Sequence, residues 1–72
     1  MEMNQVVINR EPVELYKVLK FEGLVGSGGE AKFVIDSGLV QLNGQVETRK
    51  RKKVVSGDVI EFNETRMTLV LE

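Results

Sequence analysis

Five consecutive cations, Arg49, Lys50, Arg51, Lys52 and Lys53, form the stretch of this chain whose residue types and spacing point most directly to a chemistry. Adjacent like charges repel one another, so packing does not explain their number, whereas neutralising the phosphates of a polyanion does. The plain alternative is a solvated loop that favours solubility. The rest of the 72-residue chain is acidic: four basic and seven acidic side chains precede the run, Arg66 stands against Asp58, Glu61, Glu64 and Glu72 after it, and the net charge is −1. Charges are screened beyond about 8 Å at physiological salt, so a partner at the loop senses the local charge far more than the total. A pI near 5.5 therefore does not exclude an anionic partner.

A second candidate is Gly26-Ser27-Gly28-Gly29-Glu30-Ala31. By letter it fits the dinucleotide fingerprint G-x-G-x-x-A, but a helical segment precedes it where that fingerprint needs a strand. What remains is a helix start in which the N–H groups of Gly28 and Gly29 are unshielded by side chains, at the positive end of the helix dipole, where a phosphate is received well. The same glycines also suit a tight turn between helices.

Other chemistries find little support. The chain has no cysteine and no histidine, which removes disulfides, thiolate metal sites and the commonest general base. Asp36, Asp58, Glu61 and Glu64 lack the spacing of a metal loop. Asn63-Glu64-Thr65 spells a glycosylation sequon without a secretory signal to go with it. No apolar run approaches the ~18 residues of a membrane span. The expectation is a cytoplasmic, monomeric, non-enzymatic protein with no cofactor, no metal and no membrane partner.

The elements that must position these residues follow from periodicity. Val6-Val7-Ile8, with Met3 before it, reads as a first strand. Pro12 fits the first turn of a helix, along which Leu15, Val18, Leu19 and Phe21 recur at helical spacing through Glu22. Gly23 and then Leu24 suit a Schellman ending, with Leu24 closing on Leu19. Ser27 and Glu30 have the spacing of a capping box for a second helix, whose apolar face is Ala31, Val34 and Ile35, and which Gly38 and Leu39 end in the same way.

After Gly38 the period becomes two. Asn43-Gly44 signals a hairpin, and a three-residue loop that pairs Val40 with Val46 is preferred over a two-residue loop because it keeps Val46 on the face of Leu42. Val54-Val55, a Ser56-Gly57-Asp58 turn, a strand from Val59 to Phe62, an Asn63-Glu64 turn and a strand from Met67 to Leu71 complete the chain. One α+β domain over residues 1–72 is predicted, with two short helices followed by a small antiparallel-type sheet. Tyr16 and the phenylalanines are expected in its core.

Taken together these pieces resemble the S4 RNA-binding domain, with its αL motif of two short helices and a hairpin. The resemblance covers about residues 14–62: Leu15-Tyr16-Lys17-Val18-Leu19-Lys20, Ser27 with Ala31, Gly38-Leu39-Val40-Gln41-Leu42-Asn43-Gly44 and Gly57-Asp58-Val59-Ile60. The Ser-Gly-Gly-x-Ala-Lys version followed by a basic run is most similar to small stand-alone bacterial members, which are ribosome-associated. The chain departs from the family pattern at Glu14, Gly26 and Gly28, where basic residues are frequent. The resemblance thus implies contacts to structured RNA, ribosomal or transfer, from Lys17, Lys20, Ser27 and Lys32, to which the reading of the residues themselves adds Gly28, Gly29 and the Arg49–Lys53 run. The rival reading is a small protein-interaction or carrier module whose basic loop docks an acidic protein surface. A sulfur carrier of similar length would end in Gly-Gly, and this chain ends Leu71-Glu72.

Overall fold

The computed structural model describes residues 2–72. Both helices end where a glycine can take positive φ. Helix α1 spans Leu15–Phe21 and helix α2 spans Gly28–Asp36. Gly23 (φ +72°) lets Leu24 N–H donate back to the Leu19 carbonyl at 3.1 Å, and Gly38 (φ +80°) lets Leu39 N–H donate to Val34 at 3.1 Å. These are Schellman bonds, and both fall where the sequence places them. At the start of α2, Ser27 Oγ accepts from Glu30 N–H at 3.1 Å. The reciprocal half of the box is displaced by one residue: the Glu30 carboxylate accepts from Gly26 N–H at 2.7 Å, not from Ser27.

Among the described residues seven strands complete the fold: β1 (Glu2–Ile8), β2 (Val13–Glu14), β3 (Val40–Leu42), β4 (Gln45–Val46), β5 (Lys53–Val54), β6 (Val59–Phe62) and β7 (Thr65–Leu71). Five form one sheet in the order β1-β7-β6-β3-β4, and β2 pairs with β5 in a small second ladder. The architecture is α+β, as expected, but the sheet is mixed. Strand β1 runs parallel to β7, with Val6 opposite Leu69, while the remaining pairs are antiparallel. Two helices and five strands intervene between β1 and β7, so the two edge-side strands pair in parallel across a long connection rather than through a hairpin.

The core is a single cluster. Leu15, Val18 and Leu19 of α1 and Ala31, Val34 and Ile35 of α2 meet Val6, Val40, Leu42, Ile60, Met67 and Leu69 of the sheet, with Val25 and Val54 closing it. Burying such side chains contributes roughly 1.5–3 kcal/mol each.

Four local expectations are corrected. Pro12 lies before β2 and outside α1, because Val13 and Glu14 stay extended to pair with Val54 and Lys53. The Asn43-Gly44 loop has two residues, not three: Leu42 pairs with Gln45 and Gln41 with Val46, and both loop residues have positive φ (53° and 85°). That is the pattern of a type I′ turn, whose twist matches that of the flanking strands, and this preference overrides the burial of Val46, which is left 57% exposed. The Asn63-Glu64 turn has the same signature (φ 53° and 66°), so β7 starts at Thr65 rather than Met67. Phe21 and Phe33 are outside the core, each about two-thirds exposed.

Candidate nucleic-acid interface

The basic run is anchored before its side chains are considered. Arg49 to Lys52 form a turn closed by Lys52 N–H on the Arg49 carbonyl at 3.1 Å. The first amides of a helix have no partner inside it, and here the run supplies them. Leu15 N–H donates to the Lys52 carbonyl at 2.9 Å, and Tyr16 N–H to the Lys50 carbonyl at 3.2 Å. Glu14 occupies the N-cap of α1 without a side-chain cap bond, so loop carbonyls perform that task.

Two carboxylates hold the loop from the side. Buried Glu47 receives Arg49 on both oxygens, Nε at 2.9 Å and Nη2 at 3.1 Å, and also accepts Arg49 N–H at 3.0 Å. The Arg49 side-chain hydrogen bonds and then its backbone N–H outweigh burial and pull the Glu47 carboxyl down to about 2. Glu47 in turn raises the Arg49 guanidinium above its ordinary value. Glu14 pairs with Lys17 at 3.4 Å and with Arg51 at 3.5 Å. Burial pushes the Glu14 carboxyl up, but the Lys17 hydrogen bond together with the charges of Lys17, Arg51 and Lys53 brings it below its ordinary value.

Three elements meet at the Tyr16 ring. Lys32 Nζ of α2 stands 4.7 Å from its centroid, the Arg51 guanidinium of the loop 5.6 Å and Lys17 Nζ of α1 6.0 Å. A ring face attracts cations through its quadrupole, so Tyr16 gathers charges that would otherwise repel. Its edge also passes the start of α2: a Cβ built at Gly28 would lie 3.9 Å from the Tyr16 ring. Lys17, Lys32, Arg51 and the start of α2 at Gly28 thus gather around one ring.

The sequence candidates divide accordingly. Lys17, Lys32 and Arg51 converge on Tyr16, and Gly28 and Gly29 open α2 beside it. Ser27 is engaged as the cap of α2. Arg49 is engaged with Glu47, although its side chain is 70% exposed. Lys50, Lys52 and Lys53 have no ion-pair partner among the described residues, and neither does Lys20 in the last turn of α1. Tyr16 was expected in the core and instead lies half-buried between core and cations. Glu14 and Glu47 were not singled out as loop anchors. Glu47 stands two residues from Arg49, a legible signal, whereas nothing local ties Glu14 to Arg51.

Among the described residues, no group of three potential metal ligands comes together, and no helix is long and apolar enough to cross a membrane.

The comparisons with known proteins agree with this geometry. YbcJ of Escherichia coli (strain K12) is 50% identical over 50 residues, which are 69% of this chain and 71% of that protein. Its solution structure, described as revealing an αL motif involved in RNA binding, matches with a TM-score of 0.72 at 39% identity, covering 97% of this chain and 90% of that one. A Bacillus subtilis (strain 168) protein named "Probable ribosome maturation protein RlbA" is 33% identical over 59 residues, 82% of this chain and 83% of that protein. The crystal structure of 30S ribosomal protein S4e from Thermoplasma acidophilum matches with a TM-score of 0.66 at 27% identity, over 81% of this chain and 31% of the larger one. The profile of the S4 domain family matches residues 6–70. On sequence and fold together, the chain belongs to the S4 domain family.

Proposed function

We propose that this protein binds structured RNA, ribosomal RNA foremost, as a non-catalytic cytoplasmic monomer. The observation that carries this reading is the convergence of Lys32, Arg51 and Lys17 on Tyr16 beside the glycine start of α2, with Lys50, Lys52 and Lys53 on the adjoining loop. A helix N-terminus and three cations gather at one ring with more cations on the adjoining loop, and the phosphates of a folded RNA are their natural complement. The turn fixes the loop to α1, so the charges are held in place before RNA arrives. Ribosomal RNA is favoured because RlbA is named for ribosome maturation and S4e is a ribosomal protein.

Filter binding of a ribosomal RNA hairpin at several salt concentrations tests this. Each neutralised phosphate contributes about −0.7 to −0.9 to the slope of log affinity against log salt, so three to five contacts give roughly −2 to −4. Replacing Lys50, Lys52 and Lys53 by Gln should weaken binding and flatten the slope by roughly 2. Equal affinity and equal slope in both proteins would remove the loop from the interface. Negligible RNA binding by the wild type, with an acidic protein captured in a loop-dependent manner, would favour the protein-docking alternative.

A further inference from the structure

Beside the loop, and around the flank of α1, lies an open groove of about 890 Å³ between that helix, the end of β1 and the segment that leads into β2. Val7, Pro12 and Phe21 line it, together with Arg10, Lys20 and Lys53. Phe21 is 68% exposed and Val7 62% exposed, so neither is explained by the core. Glu14 and Glu22 also line the groove. Glu14 is already paired with Lys17 and Arg51, whereas Arg10, Lys20 and Lys53 have no ion-pair partner among the described residues. The groove therefore combines an exposed aromatic ring with three cations that no ion pair occupies among the described residues. Tyr16, Lys17 and Lys53 border both this groove and the proposed RNA face, which makes the two surfaces continuous.

We infer that the groove receives an unpaired stretch of the bound RNA, with a base stacked on Phe21 and its flanking phosphates held by Arg10, Lys20 and Lys53. This rests on the reading of the chain as an RNA-binding protein and assigns a second, chemically distinct subsite to it. In a duplex the base faces are closed off by their neighbours, so an open aromatic ring is of use only to an unpaired nucleotide. Such stacking does not depend on which base is present, because every base has a π-face. The volume falls within the roughly 300–1,000 Å³ of sites that hold ligands of nucleotide size.

The test compares three RNAs: a blunt-ended hairpin, and the same hairpin with a three-nucleotide tail carrying 2-aminopurine at its 5′ or its 3′ end. Wild type should bind one tailed hairpin about 5- to 100-fold tighter than the blunt one, the range that stacking aromatics give. The fluorescence of that 2-aminopurine should fall on binding. Phe21→Ala should abolish the gain while leaving blunt-hairpin affinity and the melting temperature unchanged, since the ring is outside the core. Arg10→Gln should reduce the gain and lower the salt slope for the tailed hairpin only. If wild type binds blunt and tailed hairpins equally, or if the gain survives Phe21→Ala, the subsite is refuted while RNA binding stands. If wild type binds none of the three, both readings fall.

Discussion

Tyr16 and Lys50 are joined by a backbone hydrogen bond of 3.2 Å from the amide of the first to the carbonyl of the second. The bond ties the first turn of α1 to the centre of the basic loop, so a helix amide and a phosphate-binding segment share one local structure. The Tyr16 side chain acts on the same loop from the other side, through Arg51. A residue with one role in its backbone and another in its ring can be dissected by substitutions that leave the backbone alone.

Tyr16→Phe should bind RNA as wild type does, because the ring face that holds Lys32 and Arg51 is retained. Tyr16→Leu should weaken binding by about 2- to 5-fold, corresponding to ~0.5–1 kcal/mol for an exposed cation–π contact. Parallel titrations of the two variants, with melting curves to show that both fold, check this. Equal loss in both would assign the effect to the hydroxyl instead.

The Glu47–Arg49 pair predicts an acid limb in stability. A carboxyl whose pKa is lowered by folding stabilises the fold above its unfolded value, and that contribution disappears as pH falls through the folded value. For Glu47 the window runs from 4.5 down to about 2. Melting temperature should fall across this range in the wild type and fall less in Glu47→Gln, which has no such proton to take up. Arg49→Gln should lower the melting temperature at pH 7, because it leaves a buried carboxylate short of its partners.

Ser27 caps α2, so its removal should be felt in stability before RNA binding. Ser27→Ala should cost about 1 kcal/mol and Ser27→Gly only a few tenths. Chemical denaturation measures both, and no change in either would mean that the bond from Glu30 N–H to Ser27 Oγ contributes nothing.

At the hairpin, Gly44 has φ +85° and open space where a Cβ would stand. Gly44→Ala should therefore meet only backbone strain, about 1–2 kcal/mol. Asn43→Ala removes more than a turn former. The Asn43 amide donates to Asp58 Oδ1 at 3.1 Å and its oxygen accepts Val59 N–H at 2.9 Å, so the hairpin tip is fastened to the start of β6. Denaturation of the two single variants should show the larger loss at Asn43.

Where a feature depends on nearby residues, the sequence was readable. Gly23, Ser27 and Gly38 mark helix ends within a few residues of the groups they satisfy, and the structure has them there. The strand expected from Val59 to Phe62 likewise lies where it was read. The two-residue ladder of β2 and β5 was not readable, since Val13 and Val54 are far apart in the sequence with both helices between them. The same distance hid the bond between Leu15 and Lys52. At Asn43-Gly44 two local preferences competed: hydrophobic pairing of Val40 with Val46 against backbone twist, and twist prevailed. The cations were legible as a group, but their division into anchored Arg49 and unpaired Lys50, Lys52 and Lys53 needed the position of Glu47. Phe21 was misplaced because helical spacing alone assigns it to the apolar side, while its ring faces the groove.

The parallel pairing of β1 with β7 has a consequence for how the chain assembles. Other elements close shorter stretches of chain: each helix is local, and β6 and β7 are joined by a two-residue turn. Glu2 meets Thr65 only after nearly the whole sequence has been drawn into a ring, and the entropy of closing that ring must be lost before the pairing is gained. Strand β1 should thus dock late, onto an edge that the rest of the domain has already formed. The cationic loop meets α1 over a shorter stretch of chain, whereas the groove that Val6, Val7 and Ile8 help to line is complete only once β1 has docked.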